Sequence, residues 1–365
     1  MRVAVLLEQV LAPVPAGTGR YSTELAGALA TTAPDGAAVT GWTAWHRRTA
    51  AARLPGVSGP RRLPLPRRAL VAAWERGVGP RPTGADVVHA PTLLLPPVRR
   101  GALVVTVHDA VPWTHPETLT ARGVRWHRAM AERAARHADA IVVPTHAVAD
   151  DLARYLQPRA PIEVAHLGAS GRLAEPDDAA ERARRLGLPE EPFLLSLATL
   201  EPRKGLDVLI EALAHPAGPD VPLLLVGQPG WGGVAPDALA ARAGLPPGRV
   251  RSLGRLADAD LAVVLRRATA LVAPSRAEGF GLPVLEAMTA GTAVVSSDDP
   301  ALAEVGGGAT LLTPVGEVGA LAEAIHRVVD DAGLRSSLAA RGTARAADFS
   351  WDTTARRMWE LYGRL

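Results

Sequence analysis

The sequence of 365 residues has no cysteine, no asparagine, four isoleucines and a single lysine, Lys204. Without cysteine the chain can form no disulfide bond, no thiolate nucleophile and no cysteine-ligated zinc site. The absence of cysteine also suits a reducing compartment. We therefore expect a cytoplasmic protein, with contact to the inner face of the membrane as a further option.

Long hydrophobic runs are absent as well. No stretch of 18 apolar residues occurs, so the sequence predicts no membrane-spanning helix. The apolar run near the N-terminus is interrupted by Glu8 and Gln9, which makes it too short for the hydrophobic region of a signal peptide. We predict that this run forms a first buried strand.

The basic residues are almost all arginine. Lysine and arginine total 40, so 39 of them are arginines, and alanine, glycine and proline are also frequent, as GC-rich codons would produce. The formal net charge is only +3, although the calculated pI is about 9.9. This balance mildly favours an anionic ligand and gives no reason to expect nucleic acid as a partner.

Short apolar strands alternate with amphipathic helices along the chain. Runs such as RVAVLLE, DAIVVPT, FLLSLAT and VPLLLVG are followed by stretches with helical periodicity, which predicts an α/β protein with parallel sheets. The pattern occurs twice, so we predict two Rossmann-like domains, 1–168 and 169–348, with ligands bound in the cleft between them. The segment 349–365 is predicted to be a helix capped by Ser350.

The most informative motif lies in the sequence AEGFGLPVLEA. Glu278 ends a strand-to-helix loop, and Gly279 and Gly281 let the backbone approach a ligand. Free amides at the start of the helix can bind an anion, while Glu278 and Glu286 can accept hydrogen bonds from diols. This combination suits a sugar nucleotide, whereas two glutamates at this spacing alone would fit an ordinary buried helix equally well.

At this point the sequence resembles a known family. The string from Glu278 to Glu286, the LEPRKG string around Lys204 and the VHD string around His108 occur in the order and spacing of the retaining glycosyltransferases of family 4, group 1. The similarity covers essentially the whole chain. It implies the GT-B fold, in which two Rossmann-like domains face a central cleft and the C-terminal helix crosses back to the N-terminal domain.

The resemblance also implies an activity. A family member would transfer a sugar from a nucleotide-diphosphate sugar to an acceptor hydroxyl with retention of configuration, and it would need no metal and no other cofactor. The TLEPRKGL form is similar to mannosyltransferase-like members, which favours GDP-mannose as the donor. The alternatives are a transferase that uses a UDP- or ADP-sugar, and a non-catalytic subunit that binds sugar nucleotides.

The N-terminal domain would bind the acceptor, which could be a sugar, a lipid-linked molecule or a small molecule. The glycine-rich stretch AGTGRYSTELAGAL matches the first loop of the family, and Gly17 and Gly19 would open its helix toward the donor phosphates and the acceptor. A dinucleotide-binding fingerprint is disfavoured because Ser22 occupies the place of its third glycine. A turn and helix start without a ligand remains an alternative.

His108 directly follows a predicted buried strand, so it faces the ligand edge of the sheet. In the family, the matching histidine touches the donor sugar from the opposing domain, whereas a histidine taken alone would more often be structural. Asp109 would orient His108 or cap the turn. His89 also follows a strand, and we expect it to be structural.

Arg203 and Lys204 follow the first strand of the second domain. Their charges could neutralise the diphosphate leaving group as the glycosidic bond breaks. Cations are unfavourable at the start of a helix, which points to an anionic partner. Many relatives carry another arginine in the region where Thr199 stands, and either Arg203 or a cation from elsewhere would supply that charge here.

The resemblance places the remaining donor contacts on backbone and carboxylate groups. Glu286 would hold the ribose diol, and Gly254 and Leu256 would lie near the nucleotide base. Glu278 and the loop after it would hold the hydroxyl groups of the donor sugar. The residues of that loop are Gly279, Phe280, Gly281 and Leu282.

Two further segments each resemble a binding site but have a simpler structural interpretation. Asp258 and Asp260 mimic the D-x-D motif of metal-dependent transferases, but the apolar periodicity that follows predicts a helix cap with a first-turn acid, and no metal site. The arginine- and proline-rich segment between Arg47 and Pro82 could meet an anionic membrane surface or a lipid-diphosphate acceptor. The codon bias favours a solvated loop and helix instead.

Overall fold

The computed structural model describes residues 1–97 and 100–365. These residues form two compact units, and each contains one parallel sheet. The N-terminal unit comprises Met1–Pro116, Thr120–Gly168 and Ser350–Leu365, and the C-terminal unit comprises Glu117–Leu119 and Ala169–Phe349.

The described residues of the N-terminal unit form a sheet of seven strands. They are β1 (Arg2–Leu6), β2 (Ala38–Thr43), β3 (Ser58–Arg62), β4 (Val87–Ala90), β5 (Ala102–Thr106), β6 (Ala140–Val143) and β7 (Ile162–Val164). Their order across the sheet is β3-β2-β1-β4-β5-β6-β7, and all neighbouring pairs are parallel. Strands β4, β5 and β6 are buried on both faces, as expected for a sheet covered by helices on both sides.

Among the described residues of this unit, five α-helices precede the crossover to the C-terminal unit. They are α1 (Ala16–Thr31), α2 (Arg67–Glu75), α3 (Val111–Thr114), α4 (Ala121–His137) and α5 (His146–Tyr155). The hydroxyls of Thr120 and Thr145 cap α4 and α5 by accepting hydrogen bonds from backbone amides of the first turn. Each of these two helices therefore begins directly after its capping threonine.

The arginine- and proline-rich segment is more ordered than the sequence suggested. It contains the edge strand β3 in addition to the expected helix, α2. Leu70 and Trp74 on α2 are buried in the N-terminal core, while Arg61 and Arg62 on β3 are exposed. An edge strand tolerates Pro60 because one side of the strand needs no hydrogen bond. Contact of this segment with a membrane stays a prediction.

The sheet of the C-terminal unit has six strands. They are β8 (Leu194–Leu197), β9 (Leu223–Val226), β10 (Val250–Gly254), β11 (Ala270–Ala273), β12 (Ala293–Ser297) and β13 (Leu311–Thr313). Their order is β10-β9-β8-β11-β12-β13, again with all neighbouring pairs parallel. The helices are α6 (Ala179–Arg185), α7 (Leu206–Ala214), α8 (Pro236–Arg242), α9 (Asp258–Arg267), α10 (Leu282–Thr289), α11 (Pro300–Gly306), α12 (Val318–Asp330) and α13 (Ala332–Ala346).

The last helix, α14 (Trp351–Arg364), belongs to the N-terminal unit. The Ser350 side chain caps it as predicted, by accepting a hydrogen bond from the amide of Asp352 at 3.2 Å. The Trp359 indole donates to the carbonyl of Leu29 at the end of α1 at 3.2 Å. The predicted apolar face is buried: Trp351, Met358, Trp359, Leu361 and Tyr362.

Both sheets contain a topological switch point, where strand order reverses direction. It lies between β1 and β4 in the N-terminal sheet and between β8 and β11 in the C-terminal sheet. In open α/β sheets the crevice beyond the carboxyl ends of such strands is the usual ligand site. The strand order therefore predicts one candidate ligand site in each unit.

No helix of the described residues has both the length and the apolar character needed to cross a membrane.

Candidate active site

Two basic residues of the C-terminal unit lie on a short turn after β8, at the switch point of its sheet. Arg203 and Lys204 belong to the 3-10 turn Pro202–Lys204, which runs into α7 through Gly205. Gly205 has a φ of +65°, and a Cβ at this position would collide with the carbonyl of Pro274. Glycine is thus required for the turn to pass directly under the loop that follows β11.

Glu278 brings both cations together. Its carboxylate accepts a hydrogen bond from the Lys204 ammonium and another from Nη1 of Arg203 at 3.1 Å. The hydroxyl of Ser275 donates to Oε1 of the same carboxylate at 2.8 Å. The side chains of Lys204 and Glu278 are only 10% and 9% exposed, so water screens this ion pair weakly.

The pKa values of the pair follow from two cations sharing one carboxylate. Burial opposes ionisation of Glu278, but the charges of Lys204 and Arg203 outweigh burial and lower the pKa of Glu278 to about 2. Burial and the neighbouring Arg203 charge lower the pKa of Lys204, and its contact with Glu278 does not cancel them. The carboxylate of Glu278 is therefore ionised, and it lies between the like charges of Lys204 and Arg203.

A second set of contacts fixes the two loops against each other, and sequence reasoning missed it. The amide of Arg276 donates to the carbonyl of Arg203 at 2.7 Å. The Arg276 guanidinium also makes a two-pronged contact with Asp207 on α7, at 2.9 and 2.7 Å. Arg276 and Asp207 are 69 positions apart, so no local sequence signal joins them.

Asp299 is a further buried carboxyl group that the sequence interpretation missed. It caps α11 by accepting hydrogen bonds from the amides of Ala301 and Leu302, and its other oxygen accepts from the amide of Glu278 at 3.3 Å. Burial and the charge of Glu278 raise its pKa to about 6. The cap signal, Asp299 followed by Pro300, was visible in the sequence, but its link to Glu278 was not.

The E-G-F-G loop has the predicted helix start. Gly281 is the N-cap of α10 with a φ of +88°, where a Cβ would strike Leu302. Gly279, Phe280 and Leu282 flank it, and Phe280 packs edge-on against Phe349. Glu286 is buried within α10. The loop begins at Glu278, so its amides lie at the same switch point.

The other predicted donor residues lie along the same sheet edge. Thr199 follows β8, and Gly254 ends β10 with its carbonyl accepting from the amide of Gly227 at 2.9 Å. Leu256 is half-buried just before α9. Strand β9 lies between β10 and β8, so Gly254 and Leu256 follow a different strand from the one that precedes Thr199 and Lys204. Their contact with a nucleotide base stays a prediction.

The D-x-D-like pair lies in the first turn of α9. The N-cap of that helix is Ala257, so the expectation that an aspartate side chain caps it was wrong; both aspartates lie inside the helix, within its first turn. Asp260 receives hydrogen bonds from Arg182 and Arg185, each at 2.7 Å. The positive end of the helix dipole favours both aspartates in the first turn, and the two arginines pair with Asp260.

In the N-terminal unit, His108 lies beyond the end of β5. Its Nε2 donates to the carbonyl of Pro91 at 2.7 Å, which leaves Nδ1 as a hydrogen-bond acceptor in the neutral ring. Burial lowers the pKa of His108, against the opposing effects of the Pro91 carbonyl and Asp109. His108 therefore offers a neutral acceptor, which suits a sugar hydroxyl.

The remaining predicted residues of this unit surround the same switch point. Gly17 and Gly19 lie in the first turn of α1, which begins after β1. His89, at the end of β4, is fully buried and bonded to Tyr362 and Thr106, which gives it a structural place. The structure thus keeps His89 inside the core and His108 at the edge.

Two family models match the chain. "Glycosyl transferases group 1" matches residues 177–345, and "Glycosyltransferase Family 4" matches residues 15–170. Together they cover both units.

Curated relatives agree with these matches. The O-antigen chain mannosyltransferase B of Escherichia coli is 30% identical over 282 residues, which is 76% of this chain and 74% of the relative. The phosphatidyl-myo-inositol mannosyltransferase of Mycolicibacterium smegmatis is 36% identical over 167 residues, 44% of this chain and 42% of the relative. The chain thus spans most of the first relative but less than half of the second.

Solved structures share the fold. Sucrose-phosphate synthase from Thermosynechococcus elongatus has a TM-score of 0.78 and 23% identity, and the match covers 100% of this chain and 98% of that one. The Anabaena protein HepE, solved in complex with UDP-glucose, has a TM-score of 0.74 and 23% identity over the full length of both chains.

Two Rossmann-like units with parallel sheets define a protein of the GT-B fold, which confirms the predicted fold class. The chain belongs to the group 1 and family 4 glycosyltransferases.

Proposed function

We propose that the protein is a retaining, metal-independent glycosyltransferase that moves a sugar, with mannose favoured, from a nucleotide-diphosphate sugar to an acceptor hydroxyl. The observation that carries this proposal is the cluster of Lys204, Arg203 and Glu278 at the switch point of the C-terminal sheet, in which Lys204 and Glu278 are nearly buried and Arg203 is 21% exposed. Two cations in a poorly solvated site can compensate for a diphosphate without a metal ion.

The cluster gives each group a role in the transfer. As the bond between the anomeric carbon and the diphosphate oxygen breaks, Lys204 and Arg203 stabilise the negative charge on the leaving diphosphate. The acceptor oxygen forms its bond to the anomeric carbon on the same face, and its proton passes to a phosphate oxygen. Glu278 and the amides after it hold the sugar hydroxyls, Glu286 holds the ribose diol, and Nδ1 of His108 accepts from a sugar hydroxyl.

The names of the relatives support mannose and leave a second donor class to test. Both relatives described above are named as mannosyltransferases. HepE, in contrast, was solved with UDP-glucose, which supports a UDP-sugar as the alternative donor. The acceptor class we propose carries a free hydroxyl on a sugar or polyol, either free or linked to a lipid phosphate.

A thermal-unfolding screen tests the base class. A ligand that binds only the native state raises its stability by about 2.7 kcal/mol at a concentration of 100 times Kd. We expect GDP and GDP-mannose to raise the unfolding temperature more than UDP, ADP and their sugars do. A larger shift with UDP would replace GDP-mannose by a UDP-sugar in this proposal.

Donor turnover tests the catalytic claim. Lys204→Ala should lower turnover of the preferred donor by about 100- to 1000-fold, because one stabilising charge on the leaving group is lost. Arg185→Ala is the matched control, because Arg185 is a cation of the same unit that pairs with Asp260 on α9. Equal turnover in both variants would show that Lys204 does not carry the reaction, whereas nucleotide-sugar binding without turnover in the wild type would favour a non-catalytic sugar-nucleotide-binding subunit.

A further inference from the structure

A chain of buried hydrogen bonds crosses the N-terminal unit beside His108. The hydroxyls of Tyr21 and Thr106 lie 3.0 Å apart, and the Thr106 hydroxyl lies 2.8 Å from Nε2 of His89. The other nitrogen of His89 bonds to the hydroxyl of Tyr362 on α14. All four side chains are at most 2% exposed. The chain thus ties α1 and α14 to two central strands, β4 and β5.

This chain is neutral, so its role is geometric. Burial, together with the neighbouring His108, lowers the pKa of His89 to about 3, and burial raises the pKa of Tyr21 well above its usual value. Buried polar groups are tolerated when each has a partner, and satisfied networks then fix a single arrangement of side chains. Tyr21 is therefore held at its hydroxyl end.

The other end of Tyr21 contacts His108. The two rings meet edge-on, with centroids 4.7 Å apart and planes at 85°. On α14, Trp351 contacts the Tyr21 ring with a centroid distance of 5.7 Å. His108 has a single described hydrogen bond, from Nε2 to Pro91, and one bond leaves the ring free to turn about it. The Tyr21 ring blocks that rotation on one side.

We infer that Tyr21 is a positioning residue that fixes the imidazole of His108, and that α14 supports it through Trp351 and Tyr362. The inference rests on the proposed contact of His108 with the donor sugar. It gives the C-terminal helix a share in the reaction, although none of its residues needs to touch the substrate.

A double-mutant cycle tests this inference with the full-length protein and the preferred donor. Tyr21→Leu should lower kcat by about 10- to 100-fold with little change in KM, because a small misplacement of a reacting contact is costly. In a His108→Gln background the same change should have no further effect, because the residue being positioned is already lost. Additive losses in the double variant would mean that Tyr21 acts only through the fold, and would overturn the inference.

A ring-nitrogen NMR titration gives a readout that is independent of turnover. In Tyr21→Leu, water reaches His108, so its pKa should rise toward the usual value. An unchanged titration of His108 would overturn the inference. If Tyr21→Leu fails to fold, Tyr21→Phe replaces it: the ring stays, so kcat should remain within about threefold while the unfolding temperature falls, since one buried hydrogen bond is lost. A loss in Tyr21→Phe as large as that in His108→Gln would contradict positioning by the ring.

Tyr155→Leu is a control for the loss of an aromatic ring contact in the same unit: Tyr155 stacks on Trp113 and is 45% exposed, whereas Tyr21 is buried. It should keep full turnover. If His108→Gln itself turns over like the wild type, the proposed role of His108 fails. If His108→Gln is impaired and Tyr21→Leu is not, only the positioning role fails.

Discussion

The two switch points share one strand topology and differ in charge. In the C-terminal sheet, the crevice between β8 and β11 holds Lys204 and Arg203 around the ionised Glu278. In the N-terminal sheet, the corresponding edge carries His108 after β5, next to β4; burial lowers the pKa of His108 and keeps it neutral, and the buried ring of Tyr21 contacts it. The same edge of the same kind of sheet therefore offers fixed charge in one unit and neutral hydrogen-bonding groups in the other.

This difference shows how a common scaffold can serve two halves of one reaction. Buried ions are favourable only when they face compensating charge, and in the proposed transfer the diphosphate of the donor would supply that charge at the C-terminal edge. A neutral imidazole can accept from a hydroxyl without attracting the diphosphate, so the N-terminal edge fits a sugar or an acceptor. The side chains in the loops after the strands, rather than the sheets themselves, decide this division.

The largest effect is expected when the carboxylate charge between Lys204 and Arg203 is removed. Glu278→Gln keeps the shape of the side chain, yet should lower donor turnover by about 100- to 1000-fold. It leaves the poorly solvated Lys204 without its counterion, while Arg203 keeps its contact with Glu201, so the free energy of unfolding should fall by roughly 3 kcal/mol. A nucleoside diphosphate should restore more stability in this variant than in the wild type, because it replaces the lost negative charge.

Glu201→Gln serves as the control, because Glu201 contacts the same Arg203 at 3.2 Å but is 21% exposed. Its effect on stability and turnover should be much smaller. Equal effects of the two substitutions in denaturant unfolding and donor turnover would break the contrast between a charged and a neutral switch point.

The next prediction concerns the pH dependence of stability. The folded-state pKa of Asp299 is raised from 3.8 to about 6, so between these values the folded protein holds a proton that the unfolded chain has lost. The stability that Asp299 contributes is therefore present at low pH and lost as the pH rises through about 6. Relative to Asp299→Asn, the wild type should lose roughly 2–3 kcal/mol of unfolding free energy between about pH 4 and pH 7.

Glu278 is present in both the wild type and Asp299→Asn, and it titrates at a lower pH than the range between about pH 4 and pH 7. Its lowered pKa gives stability that is present above its unfolded value and lost as the pH falls through about 2. Denaturant unfolding at several pH values measures the difference between the two proteins. A constant difference from acid to neutral pH would show that burial and the charge of Glu278 do not raise the pKa of Asp299.

Both the fold and the charged loops could be predicted from the sequence because their signals are local. Alternating strands and helices predicted two parallel sheets, and the strings around Lys204 and Glu278 marked two charged loops, which the structure brings into contact. The pairing of Arg276 with Asp207 and the ring contact of Tyr21 with His108 could not be predicted in this way. Their contacts join positions far apart in the chain, and each residue taken alone has an ordinary structural interpretation.

A smaller effect is expected where the charge is kept and only its shape changes. Lys204→Arg retains a cation beside Glu278 but replaces a compact ammonium by a larger, planar group in a site that is 10% exposed. Turnover should fall by about tenfold, while the unfolding free energy stays close to that of the wild type. Kinetics with the preferred donor check this, and wild-type turnover would mean that charge alone matters at this position.

The smallest effect is expected at the acidic pair outside both switch points. Asp260 accepts from Arg182 and Arg185 on α6, so Asp260→Asn removes a partly exposed ion-pair cluster and should cost about 1 kcal/mol of stability or less. Because the proposed transfer relies on Lys204 and Arg203 instead of a metal held by aspartates, turnover in Asp260→Asn and in Asp258→Asn should match the wild type. Chelators should leave all three proteins equally active. Loss of turnover in either variant, or its recovery on addition of a divalent cation, would move the catalytic charge away from the crevice between β8 and β11.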